Sequence, residues 1–445
     1  MFPLLPRGVL VGGLAIPIGL VATVIVTASP ARPAPSAAAK RSDADLARAI
    51  DAYARPLVGA GHLSGELLLT RRGRVVLERF YGKASIELDQ PVTATTRFNV
   101  ASITKPMTAK IAMDLIEQKK LAEHDPIARW IPDFPRGDSI RIEHLLRHRS
   151  GIPHELVPDS LATQPMTAAQ MVEIAKRLPL DFAPGSRSSY SSGGYTVLAR
   201  ILEIVSGQDY ETLLEEHVFR PSGMTRSSHV DARVILPGRA ASCAPGPRGT
   251  ENAPFRTCRV WSARVRCGPP RAISIRMVQA VVSGRLGEGM RQSFVRGGRL
   301  EFSGRTGGFK AFAVWDSASG LDIVMVSNLA TGAPDLLRAA VPRLAAGDTV
   351  APPTLPALDP KPFNAADWRG YEGVFVLGNG IRLDTRLRNG ALYANDWVLL
   401  PTTEGDLFSP RDYGRIRGVP GADGRIERLD WTQNGEVYPA PRAAK

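Results

Sequence analysis

The chain has 445 residues, 44% of them hydrophobic, and a net charge of +13, so it is long enough for two domains or for one large domain beside a small one. The positive charge is concentrated between residues 238 and 276, where eight arginines accompany a single acid, Glu251. Only Phe255 and Trp261 are aromatic there and no nucleic-acid-binding motif occurs, so we expect no nucleic-acid partner. An anionic membrane or cell wall is a better match for such a surface.

All three cysteines, Cys243, Cys258 and Cys267, fall in this arginine-rich stretch. Their spacing is not that of a metal site. One disulfide with one free thiol is compatible with an oxidising compartment.

The N-terminus predicts export. Arg7 precedes an uncharged, mostly apolar run over residues 8–28. The run is as long as a membrane span, whereas Val26-Thr27-Ala28 suits cleavage by a signal peptidase. Residues 1–28 are therefore interpreted as either a signal peptide or a membrane anchor, which places the remaining chain in the periplasm or outside the cytoplasmic membrane. A Pro/Ala-rich linker follows over residues 29–42.

The patterns over residues 43–345 predict an α+β domain with an antiparallel sheet flanked by helices. Apolar periodicity predicts helices over 43–57, 102–121, 167–178, 195–205 and 334–344. Apolar runs on both sides of Arg71-Arg72-Gly73 and of residues 316–320 predict two strand hairpins.

The C-terminal part predicts a different architecture. Residues 346–364 are Pro-rich and read as a linker. Residues 365–445 show short alternating runs separated by Asn-Gly at 379–380, 389–390 and 434–435, which is strong hairpin chemistry. We predict a small all-β, lipocalin-like barrel, which at this size is more often packed solid than hollow.

The stretch with the clearest chemistry is Ser102-Ile103-Thr104-Lys105. Positions i and i+3 share a face of a helix, so the Lys105 amine is predicted to lie beside the Ser102 hydroxyl. A neighbouring amine turns a weak alcohol into a nucleophile. One Ser-x-x-Lys is expected by chance in a chain of this size, so the segments that accompany it decide its meaning.

Three further segments follow in order: residues 144–153 (HLLRHRSGIP), residues 182–195 (FAPG leading to YSSGGY) and residues 304–309 (GRTGGF). Together with residues 98–105 (FNVASITK), they resemble the serine beta-lactamase and penicillin-binding-protein superfamily. The resemblance is to class C beta-lactamases and their esterase and peptidase relatives, and it covers about residues 45–231 and 304–328.

The resemblance implies a serine hydrolase that needs no metal or organic cofactor, and the N-terminal segment adds export. Ser102 would attack a carbonyl and form an acyl-enzyme, with Lys105 easing its deprotonation and Tyr190 acting as general base and then acid. The backbone N–H groups of Ser102 and Gly308 would form the oxyanion hole, and Ser192, Arg305 and Thr306 would belong to the substrate-binding site. The substrate would be a small or peptide-like ester or amide.

Several positions depart from the family pattern. Ser192 stands where the family has Asn, Arg305 stands where it has Lys or His before Thr306, and Ala311 replaces a usual glycine. Arginine keeps a positive charge but cannot shuttle a proton, so Arg305 is either a substrate anchor or a structural ion-pair partner. These changes favour an esterase or peptidase over a true beta-lactamase.

Two questions stay open at this point. Residues 238–292 match the family poorly, because arginine, proline and cysteine stand where the family usually has a helix. We interpret this stretch either as a specialised substrate loop or as a coding-frame artefact. The alternative to an enzyme is a degenerate, non-catalytic acyl-binding or scaffold protein. His144 and His148 share a helix face, but without an intervening glutamate they are interpreted as structural rather than metal ligands.

Overall fold

We describe the protein from a computed structural model. The structure describes residues 41–443 except 159–160, 162–163, 230–233, 254–264, 268–273 and the single residues 362, 379, 389 and 423. The predicted N-terminal signal or anchor, most of the first linker, Cys258 and two of the Asn-Gly asparagines lie outside the described residues. Among the described residues, no helix combines the length and the apolar character needed to span a membrane.

The first part of the chain contains twelve described strands. They are β1 (Gly65–Arg71), β2 (Arg74–Tyr81), β3 (Lys83–Ser85), β4 (Gln90–Pro91), β5 (Phe98–Asn99), β6 (Ser227–His229), β7 (Cys243–Gly246), β8 (Gly249–Asn252), β9 (Val265–Cys267), β10 (Arg299–Thr306), β11 (Phe309–Asp316) and β12 (Leu321–Ser327).

Ten of the eleven described helices lie in the same part, and the last, α11, precedes the C-terminal strands. The eleven are α1 (Asp43–Gly59), α2 (Thr104–Glu117), α3 (Ile142–Leu146), α4 (Ala168–Arg177), α5 (Ser192–Ser206), α6 (Tyr210–Leu214), α7 (Arg220–Ser222), α8 (Ser274–Val282), α9 (Glu288–Phe294), α10 (Ala333–Ala346) and α11 (Ala365–Trp368). A π-helical turn, Glu215–Phe219, joins α6 to α7, and short 3-10 turns occur at Ala101–Ile103, Ile127–Arg129 and Arg369–Tyr371.

The main sheet is fully antiparallel, with strand order β10-β11-β12-β1-β2. Its two faces bury separate cores because side chains alternate along each strand. On β11, Ala311 and Ala313 belong to the larger core with α2, α5 and α8, whereas Phe312 and Val314 pack with α1 and α10. The predicted α+β class, antiparallel sheet and flanking helices are confirmed.

Several predicted elements match closely and one region differs. The predicted helix over 102–121 begins as the 3-10 turn at Ala101–Ile103 and ends at Glu117. The stretch 238–292 does contain helices: α8 and α9 lie there, and buried Met277 and Val278 join the larger core. The sequence missed them because arginine and proline dominate the composition around them.

The C-terminal part forms one sheet of eight sequential antiparallel strands. They are β13 (Gly373–Val376), β14 (Arg382–Arg388), β15 (Ala391–Ala394), β16 (Trp397–Pro401), β17 (Leu407–Ser409), β18 (Gly414–Pro420), β19 (Ile426–Gln433) and β20 (Glu436–Pro441). A bridge between Phe375 and Arg442 brings the first and last strands together, so the barrel is nearly closed.

The interior of this barrel is filled by side chains, Leu383, Leu392, Leu399 and Leu429 among them. Asn434 and Gly435 both have positive φ, 51° and 84°, as a two-residue hairpin turn requires. The predicted small all-β barrel is therefore confirmed.

Candidate active site

Ser102 lies on a tight turn between β5 and α2. The preceding residue, Ala101, has a φ of 49°, a strained value for a residue with a side chain. Two side chains hold the turn: Asn99 Oδ1 accepts the Ala101 N–H at 2.8 Å, and the Thr104 hydroxyl donates to the Ala101 carbonyl at 2.7 Å. The turn leaves Ser102 partly exposed at the start of the helix.

Lys105 lies one turn further along and is almost fully buried, at 1% exposure. Its Nζ donates to Ser102 Oγ at 3.3 Å and to Ser192 Oγ at 3.2 Å. The same Nζ lies 4.8 Å from the centroid of the Tyr190 ring and 5.8 Å from that of Tyr195. The ammonium group is therefore held by hydroxyls and aromatic faces, which attract a cation.

Tyr190 comes to the nucleophile from the loop before α5. Its hydroxyl donates to Ser102 Oγ at 2.8 Å. Ser191 caps α5 by accepting the Gly194 N–H and donates to the Pro153 carbonyl, so the loop is fixed to residues 148–154. The structure thus brings together three of the predicted residues, Ser102, Lys105 and Tyr190, although they come from two distant parts of the sequence.

His148 is a site neighbour to which the sequence reasoning gave only a structural role. It is 1% exposed, its Nδ1 accepts the Ser191 N–H at 3.1 Å, and its ring lies 4.6 Å from that of Tyr190 and 5.0 Å from that of Tyr195. Burial, reinforced by the charge of Lys105, lowers the pKa of His148 to about 3. His148 is therefore a neutral support for Tyr190.

His154 also borders the site. Its Nδ1 accepts the Ser192 N–H at 3.1 Å, its ring lies 5.3 Å from that of Tyr190, and its Nε2 lies 3.2 Å from Glu155 Oε1. His144, in contrast, uses its Nδ1 to accept the Arg141 N–H. Among the described residues, no group of three or more His, Cys, Asp or Glu is arranged to hold a metal ion.

The edge strand β10 passes directly against the nucleophile at Gly304. A Cβ at this position would lie 2.1 Å from the Val100 carbonyl oxygen and 2.8 Å from the Ser102 nitrogen, so only glycine permits the approach. Arg305 and Thr306 follow at the end of the strand, with Arg305 exposed and Thr306 partly exposed.

Gly308 lies in the turn between β10 and β11, against a different segment. Its N–H donates to Ser242 Oγ at 2.8 Å, and a Cβ on it would lie 2.3 Å from the Cys243 nitrogen. The predicted oxyanion donor is thus already engaged by a hydroxyl. The sequence shows the glycines of this motif. Which of them lies against Ser102 depends on the register of the strand.

The sequence model of the Beta-lactamase family matches residues 50–347, about two thirds of the chain. The chain belongs to the Beta-lactamase family. The family predicted from the ordered sequence blocks is therefore confirmed, and with it the assignment to a family of serine hydrolases.

Two curated relatives that are similar to this chain are named for different activities. A putative D-alanyl-D-alanine carboxypeptidase of Escherichia coli K12 is 32% identical over 200 residues, which are 40% of this chain and 46% of the relative. Esterase EstB of Burkholderia gladioli is 30% identical over 208 residues, 42% of this chain and 53% of the relative. The chain thus spans about half the length of these curated relatives.

The crystal structure of SurE superposes with a TM-score of 0.57 at 21% sequence identity. The match covers 90% of this chain and all of that one. At this identity the likeness shows the fold alone, and its coverage includes much of the C-terminal barrel as well as the helix-and-sheet part.

Proposed function

We propose that the protein is a serine hydrolase that cleaves an ester or amide through an acyl-enzyme on Ser102. The observation that carries the proposal is the convergence on Ser102 Oγ of the Tyr190 hydroxyl at 2.8 Å and the Lys105 Nζ at 3.3 Å. The names of the curated relatives, a carboxypeptidase and an esterase, support the same class of reaction. A non-catalytic scaffold would not need a buried lysine beside a partly exposed serine.

In the proposed reaction, the Tyr190–Lys105 pair starts with one proton fewer than a phenol plus an ammonium, and it takes up the Ser102 proton as Oγ bonds to the carbonyl carbon. Tyr190 then gives a proton to the leaving alcohol or amine as its bond to that carbon breaks. Water repeats the two steps on the acyl-enzyme, which releases the acid and restores Ser102.

For the oxyanion hole we propose the N–H groups of Ser102 and Arg305 in place of the predicted Gly308. Thr306 and Phe309 close a two-residue turn in which Gly307 has a φ of 45°, so this pair exchanges hydrogen bonds. The alternation of an antiparallel ladder then turns the Arg305 N–H away from β11, toward the open edge of the sheet. A Cβ on the neighbouring Gly304 would lie 2.8 Å from the Ser102 nitrogen, and this close approach supports the pairing of the two donors.

The substrate class we propose is an ester or a small amide rather than a beta-lactam. Ser192 Oγ accepts a hydrogen bond from Lys105, as a family asparagine would, but its side chain has no amide N–H for a substrate carbonyl. Phe302 lies two residues before Gly304, so its side chain is on the same face of β10 as Gly304, the face toward Ser102. This side chain is buried against Phe294, so no cation lies at residue 302 to bind a substrate.

A fluorophosphonate probe tests the nucleophile. We expect one probe per chain, attached to Ser102 by mass spectrometry of the digested protein, and no labelling of Ser102→Ala. Ser188→Ala is the matched control, because Ser188 lies in the loop that carries Tyr190 but donates to the Arg147 carbonyl. Intact labelling of Ser102→Ala would contradict the proposal.

Parallel assays with p-nitrophenyl butyrate and a chromogenic cephalosporin test the substrate class. We expect Ser102-dependent turnover of the ester and at least 100-fold lower kcat/KM for the cephalosporin. The reverse preference would show a beta-lactamase and overturn this part of the proposal.

Export is part of the same proposal and rests on the sequence, with Arg7 ahead of the uncharged run over residues 8–28. Fractionation of cells that express the full chain, with mass spectrometry of its N-terminus, tests export and separates cleavage after Ala28 from membrane anchoring. Recovery of the uncleaved chain in the cytoplasm would contradict it.

A further inference from the structure

The first turn of α5 determines where two hydroxyls of the candidate site lie. Ser191 caps the helix, and Tyr190 immediately precedes this cap. Ser192, the first helical residue, accepts a hydrogen bond from Lys105 Nζ through its Oγ. A shift of this turn therefore moves both the Tyr190 and the Ser192 hydroxyls relative to Lys105.

The turn is held by acceptors for its backbone N–H groups, because the first N–H groups of a helix have no partner within it. The Gly194 N–H donates to Ser191 Oγ at 2.8 Å, and the Gly193 N–H donates to the His154 carbonyl at 3.2 Å. The Ser192 N–H donates to His154 Nδ1 at 3.1 Å. Of these three acceptors, the imidazole nitrogen is the one that protonation near neutral pH removes.

The hydrogen bond from Ser192 determines which nitrogen of His154 carries the proton. A neutral imidazole has one N–H, so Nδ1 accepts only when the proton is on Nε2. Nε2 lies 3.2 Å from Glu155 Oε1, which is a suitable acceptor for that proton. Both side chains are exposed, at 45% for His154 and 41% for Glu155, so solvent protons reach the ring.

The surroundings of His154 make a charge on its ring matter to the site. Glu155 lies beside Nε2, and the ring centroid of Tyr190 lies 5.3 Å from that of His154. Burial first, and then the charges of Lys105 and His154, lower the pKa of His148. An imidazolium at His154 thus adds a second positive charge close to Lys105, and like charges repel each other.

We propose that His154 is a positioning residue, which holds the start of α5 through its neutral Nδ1 and releases it when the imidazole takes up a proton. The inference rests on the function proposed above. An imidazolium has no acceptor nitrogen, so protonation turns two donors toward each other at the Ser192 N–H. The first turn of α5 then shifts, the hydroxyls of Tyr190 and Ser192 move with it, and turnover falls in acid.

Two amide variants test where the acceptor has to be. His154→Asn places its Oδ1 near the site of Nδ1 and can accept the Ser192 N–H, whereas His154→Gln places its amide near the site of Nε2 and Glu155. At pH 8 we expect His154→Gln to lower kcat for p-nitrophenyl butyrate about tenfold, the scale of a lost hydrogen bond with some misplacement of the site.

We expect His154→Asn to keep most of the wild-type kcat at pH 8. KM should change little in both variants, because the acceptor acts on the helix and not on the substrate. Equal losses of kcat in the two variants, or losses in KM alone, would contradict the positioning role.

The pH dependence of activity separates this role from a purely structural contact. We compare kcat/KM of the wild type and His154→Asn from pH 8 to pH 5, the range in which imidazole side chains titrate. The asparagine keeps its acceptor in acid, so the ratio of variant to wild type should rise about fivefold over this range. Titration of Lys105, Tyr190 and His148 occurs in both proteins and largely cancels in the ratio. A ratio that stays constant within about twofold would overturn the proposal.

His124→Asn is the matched control, because His124 is an exposed histidine whose Nδ1 lies 3.0 Å from Glu143 Oε1. We expect its ratio to the wild type to stay constant with pH. NMR of the ¹⁵N-labelled imidazoles reads the protonation of His154 without turnover, and we expect the proton on Nε2 at pH 8. A proton on Nδ1 would overturn the inference even in an active enzyme. Failure of the proposed function is separate, since it appears as ester hydrolysis that survives Ser102→Ala.

Discussion

The two sides of the candidate active site are built in different ways. On the nucleophile side, Ser102, Lys105 and Tyr190 bond to one another within the main sheet's part of the molecule, and Lys105 is buried. On the side of the sheet, Gly304 of β10 approaches the Ser102 turn closely, and Arg305 lies exposed near the end of this edge strand. We infer that the proposed reaction centre is held by its own hydrogen bonds, whereas its contact with the sheet depends on how distant parts of the chain pack.

The largest effects should come from the nucleophile side. Lys105→Met and Tyr190→Phe each remove a group that contacts Ser102 Oγ, and we expect kcat/KM for p-nitrophenyl butyrate to fall by about 10²–10⁴. More than a tenth of the wild-type activity in either variant would show that the hydrogen-bonded trio is not the reaction centre.

Gly304→Ala changes the residue of β10 that lies against the Ser102 turn. The new Cβ would lie 2.1 Å from the Val100 carbonyl oxygen, which forces β10 and the Ser102 turn apart. We expect about a 100-fold loss of kcat, since misplacement by about 1 Å is costly in catalysis. Gly59→Ala is the control, because nothing lies within 4 Å of its Cβ. Wild-type turnover in Gly304→Ala would show that this close approach does not matter.

His148 makes the nucleophile side sensitive to acid. Its pKa is about 3 in the folded protein and 6.5 as the ordinary value, so the unfolded chain takes up a proton that the folded chain excludes. This contribution to stability is complete above pH 6.5 and is lost as the pH falls toward 3.

His148→Asn removes the imidazole that takes up a proton on unfolding. Lys105 and His154, whose charges also lower the pKa of His148, remain in the variant. Between pH 6.5 and 5 we expect the variant to lose about 1.5 kcal/mol less unfolding free energy than the wild type, measured by urea titration at each pH. If the unfolding free energies of the two proteins fell equally over this pH range, His148 would not be a buried neutral histidine.

The smallest effect concerns Ser192. Ser192→Ala removes one acceptor of Lys105 but leaves the lysine bonded to Ser102. We expect kcat for p-nitrophenyl butyrate to fall about tenfold, the scale of one hydrogen bond to a charged group. A wild-type kcat in Ser192→Ala would show that this hydrogen bond does not contribute to the reaction.

Local sequence signals predicted many of the elements well. Alternation and Asn-Gly pairs indicated the barrel, and Gly207, at a φ of 73°, ends α5 where the sequence predicted a helix end. The helices α8 and α9 were missed because their apolar positions lie within an arginine-rich and proline-rich stretch. The side chains around Tyr190 were only partly foreseen, since His148 and His154 acquire their contacts from the fold of the loop before α5.

The sequence by itself predicted the parts of the proposed reaction centre: Ser102 and Lys105 share a helix face because they are three residues apart, and the family resemblance of the ordered blocks added Tyr190. Only the tertiary structure decided which glycine of the third block lies against the Ser102 turn, Gly304 in β10 rather than Gly308 in the turn after it. The physical reason is register. A short motif fixes the neighbours of a residue along its own helix or turn, whereas contacts across two hundred residues depend on how whole strands and domains pack.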